Sequence, residues 1–170
     1  MGIVELLKWV WDQFETYILP FTIIHIYERG VRLTFGKKPQ IIEPGFVWKI
    51  PFIQVILTDT ITPNTMCPNS IHTTTADGKT ISIEPAIEYE ITDIVKWIVW
   101  TNSAETNLRD IVRGVVSDYV TDATWELVKD KKSQTEIKKK LNSRCEDMGC
   151  KVTKVMLTDM CISRIIITQI

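Results

Sequence analysis

The side chains able to do covalent or acid–base chemistry are few and scattered through the 170 residues. His25 and His72 are the only histidines. The four cysteines, Cys67, Cys145, Cys150 and Cys161, form no C-x-x-C pair, and their spacing fits no common zinc pattern. They are expected to be free thiols in a reducing, cytoplasmic-type compartment. Glu84, Glu88 and Glu90 are the one carboxylate cluster that invites a metal or an acid/base role. They share one parity of an alternating strand, however, and so read as a solvated face. Lys131–Lys132 and Lys138–Lys140 could hold phosphate, but the flanking Asp130 and Glu136 make a solvated helix face the simpler reading. No nucleophile elbow, Gly-rich phosphate loop or H-E-x-x-H is present. The residues therefore offer no catalytic set, no metal site and no cofactor site, and the expectation is a protein that is not an enzyme. Net charge is −1, with 20 basic against 21 acidic residues. That balance lacks the basic footprint of a nucleic-acid binder.

The remaining chemistry is interfacial. In "MGIVELLKWVWDQFETYIL", about 100° per residue gathers Glu5, Lys8, Asp12, Glu15 and Thr16 in one narrow sector. Ile3, Val4, Leu6, Leu7, Val10, Trp11, Phe14, Tyr17 and Ile18 fill the opposite side. Pro20 ends the pattern. Residues 1–20 thus predict an amphipathic helix with a wide apolar face. Four charges within fifteen residues disfavour a membrane span. Two placements stay open: docking on the protein's own sheet, or lying in a membrane interface or among copies of itself. For the interfacial placement the candidate lipid-facing residues are Ile3, Val4, Leu7, Val10, Trp11, Phe14, Ile18 and Phe21. The polar side carries more acid than base, so such binding rests on apolar burial. Leu6 stands where a myristoylation signal wants Ser or Thr, and no secretory signal pattern is seen.

Residues 21–92 read as β-rich. In "YERGV", Gly30 is expected at a tight loop between the runs 23–27 and 31–35. "EPGF" suits a type II turn at Pro44-Gly45. Asp77-Gly78 is the strongest hairpin signal, and the strand after it alternates Ile81, Ile83, Ile87, Tyr89 and Ile91 against Ser82, Glu84, Glu88 and Glu90. Pro85 points to an edge strand or a bulge.

From residue 93 to 170 the period becomes helical, with closing strands. Asp93 is a candidate N-cap, and a helix starting at Asn102 or Ser103 carries the stripe Leu108, Ile111, Val112, Val115, Val116 and Tyr119. Asp122 is a candidate cap for "ATWELVKD", and "SQTE" at Ser133 reads as a capping box. The helix it opens carries Ile137, Leu141, Cys145 and Met148 and ends at Gly149. "CKVTKVMLTDM" reads as a strand and "CISRIIITQI" as one more.

In order, "YERGVRLTFGK", "EPGFVWKIPFI", "DGKTISIEPAIEYEITD", "LRDIVRGVV" and "VTKVMLTDM" resemble the SPFH, or Band 7, domain of stomatins, prohibitins and flotillins, over residues 23–159. The resemblance implies an α+β fold with a curved, mostly antiparallel sheet and packed helices. It also implies membrane attachment through the amino terminus and self-association into rings or cages. Its members act as scaffolds or as regulators of partner membrane proteins and proteases. The expected function is accordingly a non-enzymatic, membrane-associated scaffold that self-assembles on a membrane surface; the alternative is an adaptor regulating a membrane protease or channel. Expected partners are membrane lipid and further copies of the chain, with Glu84, Pro85, Glu88, Ile165 and Ile167 as candidate contacts between copies. The end "CISRIIITQI" has no heptads, so a cage walled by long coiled coils is not expected.

Overall fold

The computed structural model describes Gly2, Val4, Glu5, Lys8 and residues 20–162. The predicted amphipathic helix therefore lies almost wholly outside the described residues; Val4, Glu5 and Lys8 are helical. The chain divides into two compact units, Met1–Thr62 and Pro63–Ile170.

Among the described residues, the first unit holds five short strands. β1 (Phe21–Ile24) pairs with β4 (Gly45–Trp48), and β2 (Glu28–Thr34) runs between β3 (Lys37–Ile42) and β5 (Gln54–Thr60), all antiparallel. The chain turns between β1 and β2 at residues 25–28, where the Glu28 N–H donates to the His25 carbonyl at 3.0 Å. Gly30 is not in that turn. It lies inside β2, and a Cβ there would come within 2.7 Å of Ile24 Cδ1. The glycine serves close packing across the two small sheets, not a left-handed bend. Gly45 does adopt positive φ, +136°. Pro44-Gly45 joins strands of different sheets, however, and so is a corner between sheets and not a hairpin tip.

The second unit is built on β8 (Thr80–Ile91). β7 (Ile71–Thr74) and β6 (Asn64–Met66) share one side of it, and β9 (Cys150–Ile162) lies along the other. Asp77-Gly78 makes the expected hairpin: the Gly78 N–H donates to the Thr75 carbonyl at 2.9 Å, and Gly78 takes φ +77°. The alternation of β8 also holds, with Ile81, Ile83, Ile87, Tyr89 and Ile91 buried. Pro85, expected at an edge, sits on this central strand and is buried. It occupies the gap between the register of β7, which ends at Ile83, and that of β6, which starts at Ile87. A local register shift against β9, between Ser82 and Glu84, precedes it, so the bulge reading survives and the edge reading does not. A second shift, between Glu88 and Tyr89, inserts Thr153, whose hydroxyl donates to the Glu88 carbonyl at 3.0 Å. This bulge changes the phase of β9, so Val152 shares the buried side with Val155 and Leu157.

The helices follow. Asp93 caps as expected, its Oδ1 accepting from the Val95 and Lys96 N–H groups, and a π-helical turn spans Lys96–Trp100. α1 (Ala104–Asp122) buries Leu108, Val112, Val115, Val116 and Val120. Asp122 ends α1 and caps nothing in α2 (Trp125–Lys129). Asp77 of the hairpin supplies that acceptor, taking the Trp125 N–H at 3.1 Å. α3 (Lys131–Cys145) starts before the expected capping box. Asp130 is its N-cap, and Ser133 lies buried in its first turn, donating to the Val128 and Asp130 carbonyls. Ile137, Leu141 and Cys145 form the expected buried stripe, continued by Met148, and Gly149 closes the segment at φ +75°. The Asn142 side chain bonds both backbone groups of Val152, at 2.7 and 3.2 Å, and so ties α3 to β9. Helices packed on antiparallel strands make this the α+β architecture expected from the sequence.

Candidate membrane interface

The pairing of β1 with β4 decides which side chains of the first unit meet solvent. Phe21 lies opposite Trp48 and Ile23 opposite Phe46. Residues directly opposite share a face, and alternate residues along a strand share it too. All four therefore point the same way, while Thr22, Ile24 and Val47 point the other. Ile24 and Val47 are buried, whereas Phe21, Ile23, Phe46 and Trp48 are 40, 62, 66 and 61% exposed. The rings of Phe21 and Phe46 stack at 5.5 Å.

Backbone and side-chain hydrogen bonds hold this face in place. The Lys49 N–H donates to the Pro20 carbonyl at 2.7 Å, pinning the chain where the amino-terminal segment leaves the strands. Arg32 Nη2 donates to the Trp48 carbonyl at 3.1 Å, linking the three-stranded sheet to the two-stranded one. An outward apolar face on a fixed two-stranded ribbon is unusual for a protein surrounded by water alone. Its chemistry is that of burial against another apolar phase, with Trp and Phe rings suited to a headgroup boundary.

Of the sequence-named lipid-facing residues, Phe21 falls on this face and Val4 is 79% exposed. Ile3, Leu7, Val10, Trp11, Phe14 and Ile18 lie outside the described residues, as do Ile165 and Ile167 among the candidate copy–copy contacts. Glu84 is exposed and Glu88 half-buried on the solvent-facing side of β8, with Pro85 buried between them. Ile23, Phe46 and Trp48 were absent from the sequence-named set. The phase of "FTII" against "FVW" carries the signal, but it emerges only once the two strands are known to pair. Among the described residues, no helix is long and apolar enough to cross a membrane.

Other parts of the molecule were candidates for chemistry. Among the described residues, no group of three His, Cys, Asp or Glu side chains could hold a metal ion. A cavity of ≈ 680 Å³ between α1 and α3 is lined by Val115, Asp118, Glu136, Lys139, Lys140, Ser143 and Arg144. It has neither histidine nor cysteine to act as base or nucleophile. Beside it, burial and the charge of Glu136 push the Tyr119 hydroxyl up from its ordinary value. Cys67, Cys145, Cys150 and Cys161 are all free thiols. The Cys150 thiol donates to the Cys145 carbonyl at 3.9 Å. The adjacent Cys145 side chain, and burial after it, push Cys150 well above the ordinary thiol range. Such a thiol stays protonated and inert.

Comparison with known proteins agrees with the resemblance drawn from the motifs. The model of the SPFH domain / Band 7 family matches residues 22–169. Similar curated proteins include the modulator of FtsH protease HflK of Escherichia coli, 29% identical over 106 residues, covering 60% of this chain and 25% of that protein. Protein HflK of Vibrio cholerae is 30% identical over 105 residues, covering 56% and 25%. The modulator of FtsH protease HflC of Escherichia coli is 26% identical over 137 residues, covering 68% and 39%. The chain thus spans between a quarter and two-fifths of the length of these relatives. With a family model matching nearly its whole length, the chain belongs to the SPFH domain / Band 7 family.

Proposed function

We propose that this chain is a non-catalytic assembly module that lies on a membrane surface and self-associates there. The observation that carries the reading is the shared outward face of Phe21, Ile23, Phe46 and Trp48. In this reading the apolar residues of the amino-terminal segment, Ile3, Val4, Leu7, Val10, Trp11, Phe14 and Ile18, add to that contact. Each element alone supplies modest affinity for lipid. Linked copies multiply it, because the second contact forms at high effective concentration. Contacts between copies are offered by Glu84 and Glu88 on the outer side of β8 and by Ile165 and Ile167. Pro85 keeps a place in this set only as the break in the strand between them.

A second reading is favoured by the names of the similar proteins, since HflK and HflC of Escherichia coli are modulators of FtsH protease. In that reading the assembled module binds a membrane protease and regulates it. The two readings are compatible, the second giving the scaffold a client.

Flotation of the purified chain with liposomes tests the first reading. Wild type is expected to float, and a Phe46→Ser, Trp48→Ser variant to lose most of its partitioning while keeping its fold. The Trp11→Glu, Phe14→Glu variant is expected to lose binding as well. Equal flotation of all three would sink the reading. For the second, a membrane protease is expected to co-purify in fixed stoichiometry.

A further inference from the structure

The loops at one end of the first unit hold a feature that the fold does not require. Thr34 pairs with Lys37, so Phe35 and Gly36 are the two residues of a tight hairpin loop. Both take positive φ, +52° and +67°. A loop of this shape ordinarily carries Asn, Asp or Gly first; a bulky aromatic residue there is an outlier. Phe52, just before β5, is a second one, at φ +65°. The two loops are joined: the Phe35 N–H donates to the Ile53 carbonyl at 2.8 Å, and the Ile53 and Gln54 N–H groups donate to Ile50. Both rings nevertheless face outward, Phe35 73% and Phe52 79% exposed. Backbone strain at two adjacent aromatic residues gains this unit no buried surface, and strain kept without internal return marks function.

The acidic side chains of residues 20–62 gather away from these tips. Lys37 and Lys38 are exposed beside Phe35. The acids stand at the opposite end: Glu28 and Asp59 pair with Thr60 and Arg29 in the β2–β5 ladder, and Glu43 forms an ion pair with Arg29 at 3.7 Å. Six residues of strand separate Glu28 from Thr34, roughly 20 Å. Trp48, Ile50 and Phe52 are all exposed, so the chain that leads from the outward face to the second loop keeps presenting apolar side chains.

We propose that Phe35 and Phe52, flanked by Lys37 and Lys38, form a paired wedge that enters the headgroup layer of a bilayer and selects anionic lipid. The inference rests on the membrane reading and adds the lipid class to it. Exposed aromatic loop tips suit a deformable layer, and two lysines beside them suit negative headgroups. The sequence of the amino-terminal helix could not supply this preference, because its polar side is acidic.

Flotation of the full chain against vesicles of phosphatidylcholine alone, and of phosphatidylcholine mixed with phosphatidylglycerol, tests it. Wild type is expected to bind the anionic vesicles more tightly, with a preference that shrinks as salt rises. Lys37→Gln with Lys38→Gln is expected to remove about 30-fold of that binding, at about fivefold per lysine near such a surface. Phe35→Asn with Phe52→Gly is expected to weaken binding to both vesicles at least tenfold. Its Tm should hold or rise, because both replacements tolerate positive φ. Equal wild-type binding to the two vesicles overturns the lipid selection and leaves membrane association standing. Binding to neither overturns the membrane reading too. A Phe35→Asn, Phe52→Gly variant that melts early shows that the rings serve the fold, and one that binds like wild type shows that they serve nothing at the membrane; either overturns the wedge.

Discussion

Between Pro20 and Thr62, three large apolar residues are buried, Ile24, Val31 and Val47. Twelve in the same stretch are exposed: Phe21, Ile23, Ile26, Tyr27, Phe35, Ile41, Phe46, Trp48, Ile50, Phe52, Val55 and Leu57. Between Pro63 and Ile162 the proportion inverts, and only Trp100, Leu127 and Ile162 are exposed among the large apolar residues described. Burying each such side chain contributes roughly 1.5–3 kcal/mol. The second unit collects that contribution within itself. The first forgoes most of it in water and can recover it only against something else. Both contain antiparallel strands, but in the second unit the stripes of α1 and α3 are buried against the sheet, whereas among the described residues the first unit has strands and no such helical layer.

The contrast is sharpest when one residue of each kind is removed. Leu141 is fully buried in the stripe that seats α3. Leu141→Ala is expected to lower stability by about 2–5 kcal/mol through lost burial and the cavity left behind. Phe46→Ala, on the outward face of β4, is expected to stay within ~0.5 kcal/mol in solution, as surface changes do, while weakening flotation. Thermal and denaturant melts of the two variants decide the matter. Comparable losses would mean that the outward face is a core after all, and the division between the units would fail.

A smaller loss separates the units through backbone alone. Gly149 ends the α3 segment at φ +75°, and its N–H and carbonyl are tied to Glu146, Thr92 and Asp93. A Cβ there would lie 2.5 Å from the Asp93 carbonyl oxygen and 2.8 Å from Lys96 Cβ. Gly149→Ala is thus expected to cost about 1–3 kcal/mol. Gly36 also has positive φ, +67°, but open space around its Cβ position. Gly36→Ala should pay only for conformation and lose less. If Gly36→Ala proves the more damaging in urea melts, tight packing is not the property that distinguishes the second unit.

These residues also show why part of the molecule was legible in the sequence and part was not. Periodicity is local, so the stripes of α1 and α3, the Asp77-Gly78 hairpin and the parity of β8 were all readable from a few neighbouring residues. Gly149 was readable for the same reason. Partners distant in sequence were not. Gly30 looked like a turn because its real constraint, Ile24 Cδ1, depends on how two sheets meet. Pro85 looked like an edge because nothing local shows that β6 and β7 stop short of it on a central strand. The phase of β9 could not be read past Thr153, because that bulge is an insertion visible only against Glu88. The candidate interface divides in the same way. Phe21 was named from its place after the amphipathic segment, whereas Phe46 and Trp48 needed the β1–β4 register, and Phe35 and Phe52 needed backbone angles.

Asp77 gives the smallest expected effect and the closest test of how the second unit closes on itself. Its carboxylate accepts from Thr75 Oγ1 at 2.6 Å and from the Trp125 N–H at 3.1 Å, and it pairs with Lys79 Nζ at 2.8 Å. The Lys79 contact first, then Thr75 and Trp125, hold its pKa well below the ordinary value near 3.8. A carboxyl depressed in the folded state adds stability that is complete above the unfolded value and is lost as pH falls through the folded one. The site is exposed, so the ion pair is screened and the effect is small. Asp77→Asn keeps a hairpin-compatible residue and a side-chain oxygen for Trp125, and it removes only the charge. Wild type is therefore expected to melt slightly above Asp77→Asn from neutral pH down to about 4. The two curves should converge below that as the wild-type carboxylate takes up its proton. A gap that persisted unchanged at the acid end would assign the difference to turn geometry instead of charge. The charge on Asp77 would then contribute nothing measurable, and the hairpin would hold the helical layer through the fit of its turn and the hydrogen bonds that Asn can also make.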